Sequence, residues 1–146
     1  MPSEILRADS YVIAWTGSVA DIRMAASVKA EYDQAIARKD INSIQRRVHL
    51  QRSFKEFCEN DEFWRRLSDE KLKREGKFPD GNGTDATIWV FKAWQWRLYG
   101  AIMKVNARRC FVAVSVDPNK KRDRADQKLL KATAKSLGKL AEYKAE

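Results

Sequence analysis

Residues 87–116 hold three runs dense in β-branched and aromatic side chains, parted by connections of only a few residues. Such connections are long enough for hairpins but too short for the crossover that parallel neighbours need, so an antiparallel meander is expected. Its strands are predicted at 87–92, 95–104 and 108–116. The last, Cys110-Phe111-Val112-Ala113-Val114-Ser115-Val116, reads as an interior strand and is ended by Asp117-Pro118. A helix is predicted over 123–143. Leu129, Leu130, Thr133, Leu137 and Leu140 share one side of it and suit packing on the sheet, whereas Lys128, Lys131, Lys135 and Lys139 form an opposite stripe facing water.

Upstream, Tyr11-Val12-Ile13-Ala14-Trp15 reads as a buried strand closed by Thr16-Gly17-Ser18. Ser18 then suits the cap of a helix over 19–38, whose apolar positions recur at steps of three and four. Asp40 restarts that pattern as the cap of a second helix, through Ile41, Ile44, Val48, Phe54, Phe57 and Cys58, and the two are expected to form a hairpin. A third, weaker helix is predicted from Asn60-Asp61 through Phe63, Trp64, Leu67 and Leu72, stopped by Gly76 and Pro79. The turn-forming stretch 78–84 is the main loop. The expected architecture is one α+β domain over 1–146, with 1–10 as a loose N-terminal arm. In it, an N-terminal strand and helical hairpin pack on a small antiparallel sheet, the three-stranded meander, which a C-terminal helix follows.

Composition narrows the function classes. No apolar run approaches the roughly 20 residues that span a bilayer, and the N-terminus lacks the pattern of a signal peptide, so a cytoplasmic protein with no membrane partner is expected. Cys58 and Cys110 form neither a CxxC pair nor a disulfide framework, and with a single histidine no metal site is expected. No cofactor fingerprint is present. The net charge of +9 is uneven: residues 1–91 hold fifteen Lys+Arg and fifteen Asp+Glu, while 92–146 hold fourteen and five. A neutral part joined to a concentrated basic part suggests a directed electrostatic surface for a polyanion.

The order strand, helical hairpin, loop, meander and helix resembles that of HigB-like toxins of the RelE/ParE superfamily. Ile88-Trp89-Val90-Phe91-Lys92 looks like the family's first meander strand, ending in a basic residue. Trp96-Arg97-Leu98-Tyr99-Gly100 looks like the central strand with its arginine and aromatic, and Arg109-Cys110-Phe111-Val112-Ala113-Val114 resembles the third. Asn119-Lys120-Lys121, before a polar helix start, is the most telling part of the match. The resemblance covers about 87–143 well and the N-terminal half only by the order of its elements. It implies a RelE/ParE-like fold and the toxin role in a type II toxin-antitoxin system. It further implies cleavage of mRNA on the translating ribosome by attack of a ribose 2′-hydroxyl on the adjacent phosphate, without metal, and a cognate antitoxin of helix-turn-helix type.

That chemistry needs cations around the pentacoordinate phosphorane, a base for the hydroxyl and an acid for the leaving oxygen. Arg97 is the first candidate for transition-state stabilisation, because its guanidinium is always charged and can engage phosphate oxygens with two N–H groups. Lys92, Lys120 and Lys121 follow; a lysine among other cations has its charged form repelled and can serve as acid or base. Tyr99 can stack on a base or relay a proton. Arg109, Arg122, Arg124, Lys128, Lys131 and Lys135 are the nucleic-acid-binding candidates. The family's histidine base does not transfer to His49, which lies on a helix and not on the meander. Trp89, Trp94 and Trp96 with Phe91 suit either base stacking or the core, the core being favoured. A ParE-like inhibitor of DNA gyrase and a non-catalytic nucleic-acid-binding or phage-accessory protein are the alternative readings.

Overall fold

The computed structural model describes residues 6–62, 67–68, 71–118 and 126–144. Among them lie helices α1 (Ala26–Ala37), α2 (Ile41–Glu59) and α3 (Gln127–Gly138). The strands are β1 (Val12–Thr16), β2 (Ala20–Met24), β3 (Leu72–Pro79), β4 (Asp85–Ala93), β5 (Trp96–Val105) and β6 (Arg108–Asp117). The fold is α+β. Its sheet has six strands in the order β1-β2-β6-β5-β4-β3 and is mixed, because β2 runs parallel to β6 while every other pair is antiparallel.

The meander forms as its short connections require. Asn106 and Ala107 both take positive φ in the β5–β6 turn, the backbone of a tight hairpin whose twist matches that of its strands. Alternation along the strands builds two cores. On one face, Phe91, Phe111 and Leu98 meet Phe54 and Phe57 of α2, with ring centroids 5.0 Å apart for Phe54–Phe91 and 4.7 Å for Phe91–Phe111. On the other, Val90, Tyr99 and Val112 meet Leu130, Ala134 and Leu137 of α3. Asp40 caps α2 by accepting from Ser43 N at 3.1 Å, and Asp126 caps α3 by accepting from Lys128 N at 2.9 Å.

The sheet is larger than the three-stranded meander expected from the sequence, for two reasons. The predicted first helix begins only at Ala26, and the stretch before it is β2, buried along its whole length. Its Asp21 and Arg23 look like the polar face of a helix, yet both find partners inside, although the Arg23 Nε has none among the described residues. Arg108 pairs with Asp21 at 3.2 Å, and Arg23 donates to the carbonyls of Asp9 and Tyr11. Ser18 therefore caps no helix; its hydroxyl donates to Glu59 at 2.8 Å. The predicted third helix is the second departure. Phe63 and Trp64 lie outside the described residues, and Leu72, placed at its end, instead opens β3, which joins the sheet beside β4. The loop is accordingly shorter, from Asp80 to Thr84.

Residues 6–10 are not a loose arm. Leu6 bridges Leu140, Ala141 N donates to the Leu6 carbonyl at 2.8 Å, and Glu142 accepts from the backbone N–H groups of Ala8 and Asp9. Ala8 is fully buried. Among the described residues no helix is long and apolar enough to cross a membrane.

Candidate functional site

On β5, Trp96 and Leu98 face α2 and Tyr99 faces α3, so Arg97 projects on the α3 face by alternation. The same argument sets Lys92 there, between Phe91 and Ala93 of the opposite core. Register then makes them neighbours: Lys92 lies directly across from Arg97, and Arg97 across from Asp117 on β6. The next row along the strands pairs Tyr99 with Val90 on one side and Ser115 on the other. The N-terminus of α3 borders this end of the sheet, since the Asp126 cap acts electrostatically on Tyr99.

Arg97 is half-buried. Its guanidinium donates to the Trp96 carbonyl at 3.2 Å and makes no ion pair among the described residues. Burial pulls its pKa down, against the pull of Tyr99, Glu75 and Asp117. A guanidinium lowered from that starting point is still fully charged at neutral pH. Tyr99 is only 1% exposed, and burial with the nearby carboxylates of Glu75 and Asp117 pushes its hydroxyl up to about 12. It cannot stack on a base, and at neutral pH it carries its proton. It floors the site beneath the two cations.

Glu75 and Asp117 are the site residues that sequence reasoning passed over. Asp117 counted only as a strand terminator, although extending β6 by one residue brings it opposite Arg97. Glu75 fell inside a predicted helix, whereas it occupies the irregularity in β3 between Arg74 and Gly76. With them the site holds both signs of charge, two cations and two carboxylates.

The remaining candidates disperse. Arg109 faces α2, where it donates to the carbonyls of Phe57, Asn60 and Asp61 at the helix end and lies over the Phe57 ring at 4.8 Å. Burial lowers its pKa. It therefore closes the C-terminus of α2 on the face away from Lys92 and Arg97. Lys131 and Lys135 are exposed on the outer side of α3, as expected of the lysine stripe, and Lys128 is exposed in its first turn, beside the site. Lys120, Lys121, Arg122 and Arg124 lie outside the described residues; Asp117 and Asp126, on either side of that segment in the chain, both border the site. Of the aromatic group, Trp96 and Phe91 are buried and Trp89 is partly buried, while Trp94 stands out in solvent. Among the described residues no three His, Cys, Asp or Glu side chains are grouped to hold a metal ion.

No family model matches the chain, and neither a curated protein nor a solved structure matches it.

Proposed function

We propose that the α3 face around Lys92 and Arg97 binds the phosphate backbone of RNA, and that the chain is a toxin-type ribonuclease cleaving mRNA on the ribosome. The observation that carries this reading is the cross-strand pair Lys92–Arg97, two cations side by side on the α3 face of the sheet, with no ion pair on the arginine among the described residues. Two adjacent cations match the oxygens of a phosphate that gains negative charge in the transition state. Arg97 supplies the forked contact and Lys92 the point charge. The helical hairpin followed by a meander and a C-terminal helix supports a RelE/ParE-like relationship, although β2 and β3 add strands to the expected order, and the concentration of basic residues after residue 91 supports a polyanionic substrate.

In this mechanism the 2′-hydroxyl attacks the adjacent phosphorus and the 5′-oxygen leaves, giving a 2′,3′-cyclic phosphate and a 5′-hydroxyl. Asp117 or Glu75 accepts the 2′-hydroxyl proton, and a lysine returns one to the 5′-oxygen. The test is incubation of purified protein with a translating extract in the presence of a chelator, with cleavage mapped by primer extension. Wild type is expected to cut translated mRNA, and Arg97→Ala to slow cutting by about a hundredfold or more, the scale of losing one charge-stabilising donor. Intact mRNA with wild type, or equal cutting by Arg97→Ala, would overturn the proposal. Salt-dependent RNA binding with no cutting would favour the non-catalytic reading, for which the burial of Tyr99 speaks.

A further inference from the structure

The described residues leave one large aromatic side chain in solvent. Trp94 is 60% exposed, at the tip of the β4–β5 hairpin, with φ of +55. Such a backbone suits glycine or asparagine, and a bulky residue there is uncommon. Both features disfavour tryptophan on folding grounds, since its ring covers little of the core. Its ring meets that of His49 at 5.4 Å, tilted by 53°, which steadies the indole without covering its outer side. Beside it runs a groove of about 290 Å³ lined by Asn42, Gln45, Arg46, Trp94 and Gln95. The Arg46 Nε is buried without a hydrogen-bond partner among the described residues.

We infer that Trp94 and this groove form a subsite for an unpaired nucleobase of single-stranded RNA. An indole face stacks on any base, and the amides of Asn42, Gln45 and Gln95 together with a guanidinium match the donors and acceptors of a base edge. The place in the fold agrees. Lys92 and Arg97 pair two positions in from Trp94 and Gln95 on the same hairpin, but on the α3 face, whereas the groove opens on the α2 side; a strand whose phosphate rests on the cations reaches it by crossing over the hairpin tip. The inference deepens the RNA reading proposed for that face and rests on it. Ile41, Ile44 and Val48 are also exposed on the solvent side of α2 and would suit a protein partner, but the groove itself is polar.

Binding of a short, fluorescently labelled single-stranded RNA by the full chain tests this. Trp94→Ala is expected to weaken binding about tenfold or more, as for loss of one stacked base. Trp94→Phe keeps most of the affinity, and a hairpin duplex of the same length is bound alike by all three proteins. Thermal melts exclude unfolding, because removing an exposed ring leaves the core intact. Equal binding by wild type and Trp94→Ala, with Arg97→Ala weakened, overturns the subsite and leaves the phosphate face standing. Weakening by Trp94→Ala alone supports the subsite and removes the face. Self-association lost in Trp94→Ala, with RNA affinity unchanged, also overturns the subsite, in favour of a protein contact.

Discussion

Replacing Arg109 by alanine separates an arginine that holds the fold from one that is free to act on a ligand. A helix C-terminus leaves its last carbonyls without intrahelical partners. Here Arg109 donates to one of them, that of Phe57, and to two carbonyls just past the end of α2, the Asn60 oxygen at 2.6 Å and the Asp61 oxygen at 3.3 Å. A hydrogen bond to a charged group nets about 1.5–3 kcal/mol. Water replaces most of that at this half-exposed helix end, so about one bond's worth, roughly 2 kcal/mol, is a fair count. Cation–π contact with Phe57 contributes about 1 kcal/mol, and a cation at the helix C-terminus about 0.5 kcal/mol. Desolvation of the guanidinium, visible in its lowered pKa, works against these terms. The net loss for Arg109→Ala is therefore about 2–3 kcal/mol, a fall in Tm of roughly 5–10 °C for a chain this size. Arg97→Ala, which gives up one weak bond to the adjacent carbonyl, is expected to change stability by less than about 1 kcal/mol. Urea denaturation followed by circular dichroism measures both. An Arg109→Ala protein as stable as wild type but weakened in RNA binding would show that the residue serves a ligand and refute this division of labour.

Gly100→Ala is expected to cost at least about 3 kcal/mol or abolish folding, since a Cβ there would meet the Val112 carbonyl oxygen at 2.0 Å in the next strand, and backbone cannot yield; a two-state melt near wild type would contradict it. Ala107→Gly should raise stability by about 0.5–1 kcal/mol, because alanine is held at φ of +65 in the β5–β6 turn; unchanged or lower stability in urea would count against this. Asp80 accepts from Thr84 Oγ1 and the Tyr143 hydroxyl, each at 2.5 Å, and from Asn82 N at 2.7 Å, which holds its carboxyl down to about 2. The unfolded chain, with an ordinary carboxylate near 3.9, takes up the proton first, so this stabilisation is whole above about pH 4 and fades as pH falls toward 2. Asp80→Asn should be less stable than wild type at neutral pH, with the gap closing across that acid window; a gap that stays constant from pH 7 to 2 would refute the linkage.

Much of the C-terminal half was legible in the residues. Dense β-branched and aromatic runs with short connections admit few arrangements, and the predicted strands agree with those observed to within two residues at each end. The second helix begins at its Asp40 cap as read, because capping is a local interaction three residues long. The leucine and lysine sides of α3 separate as the helical period requires. Period alone misled at β2, where Asp21 pairs with Arg108, far along the chain, and Arg23 donates to carbonyls of the N-terminal segment. It misled again at β3, whose partner β4 supplies the hydrogen bonds that decide strand over helix.

What the chain settles locally, then, is where strands, caps and turns can form and which side of each element is apolar, since these depend on residues a few positions apart. Which basic residues act together depends instead on register across strands. Lys92 and Arg97 meet because the β4–β5 hairpin aligns them, whereas Arg109 is turned by the pleat of its strand toward the end of α2. Composition makes them three equivalent cations. Only the paired sheet, by fixing which face each side chain leaves from, makes two of them a site and the third a helix clasp.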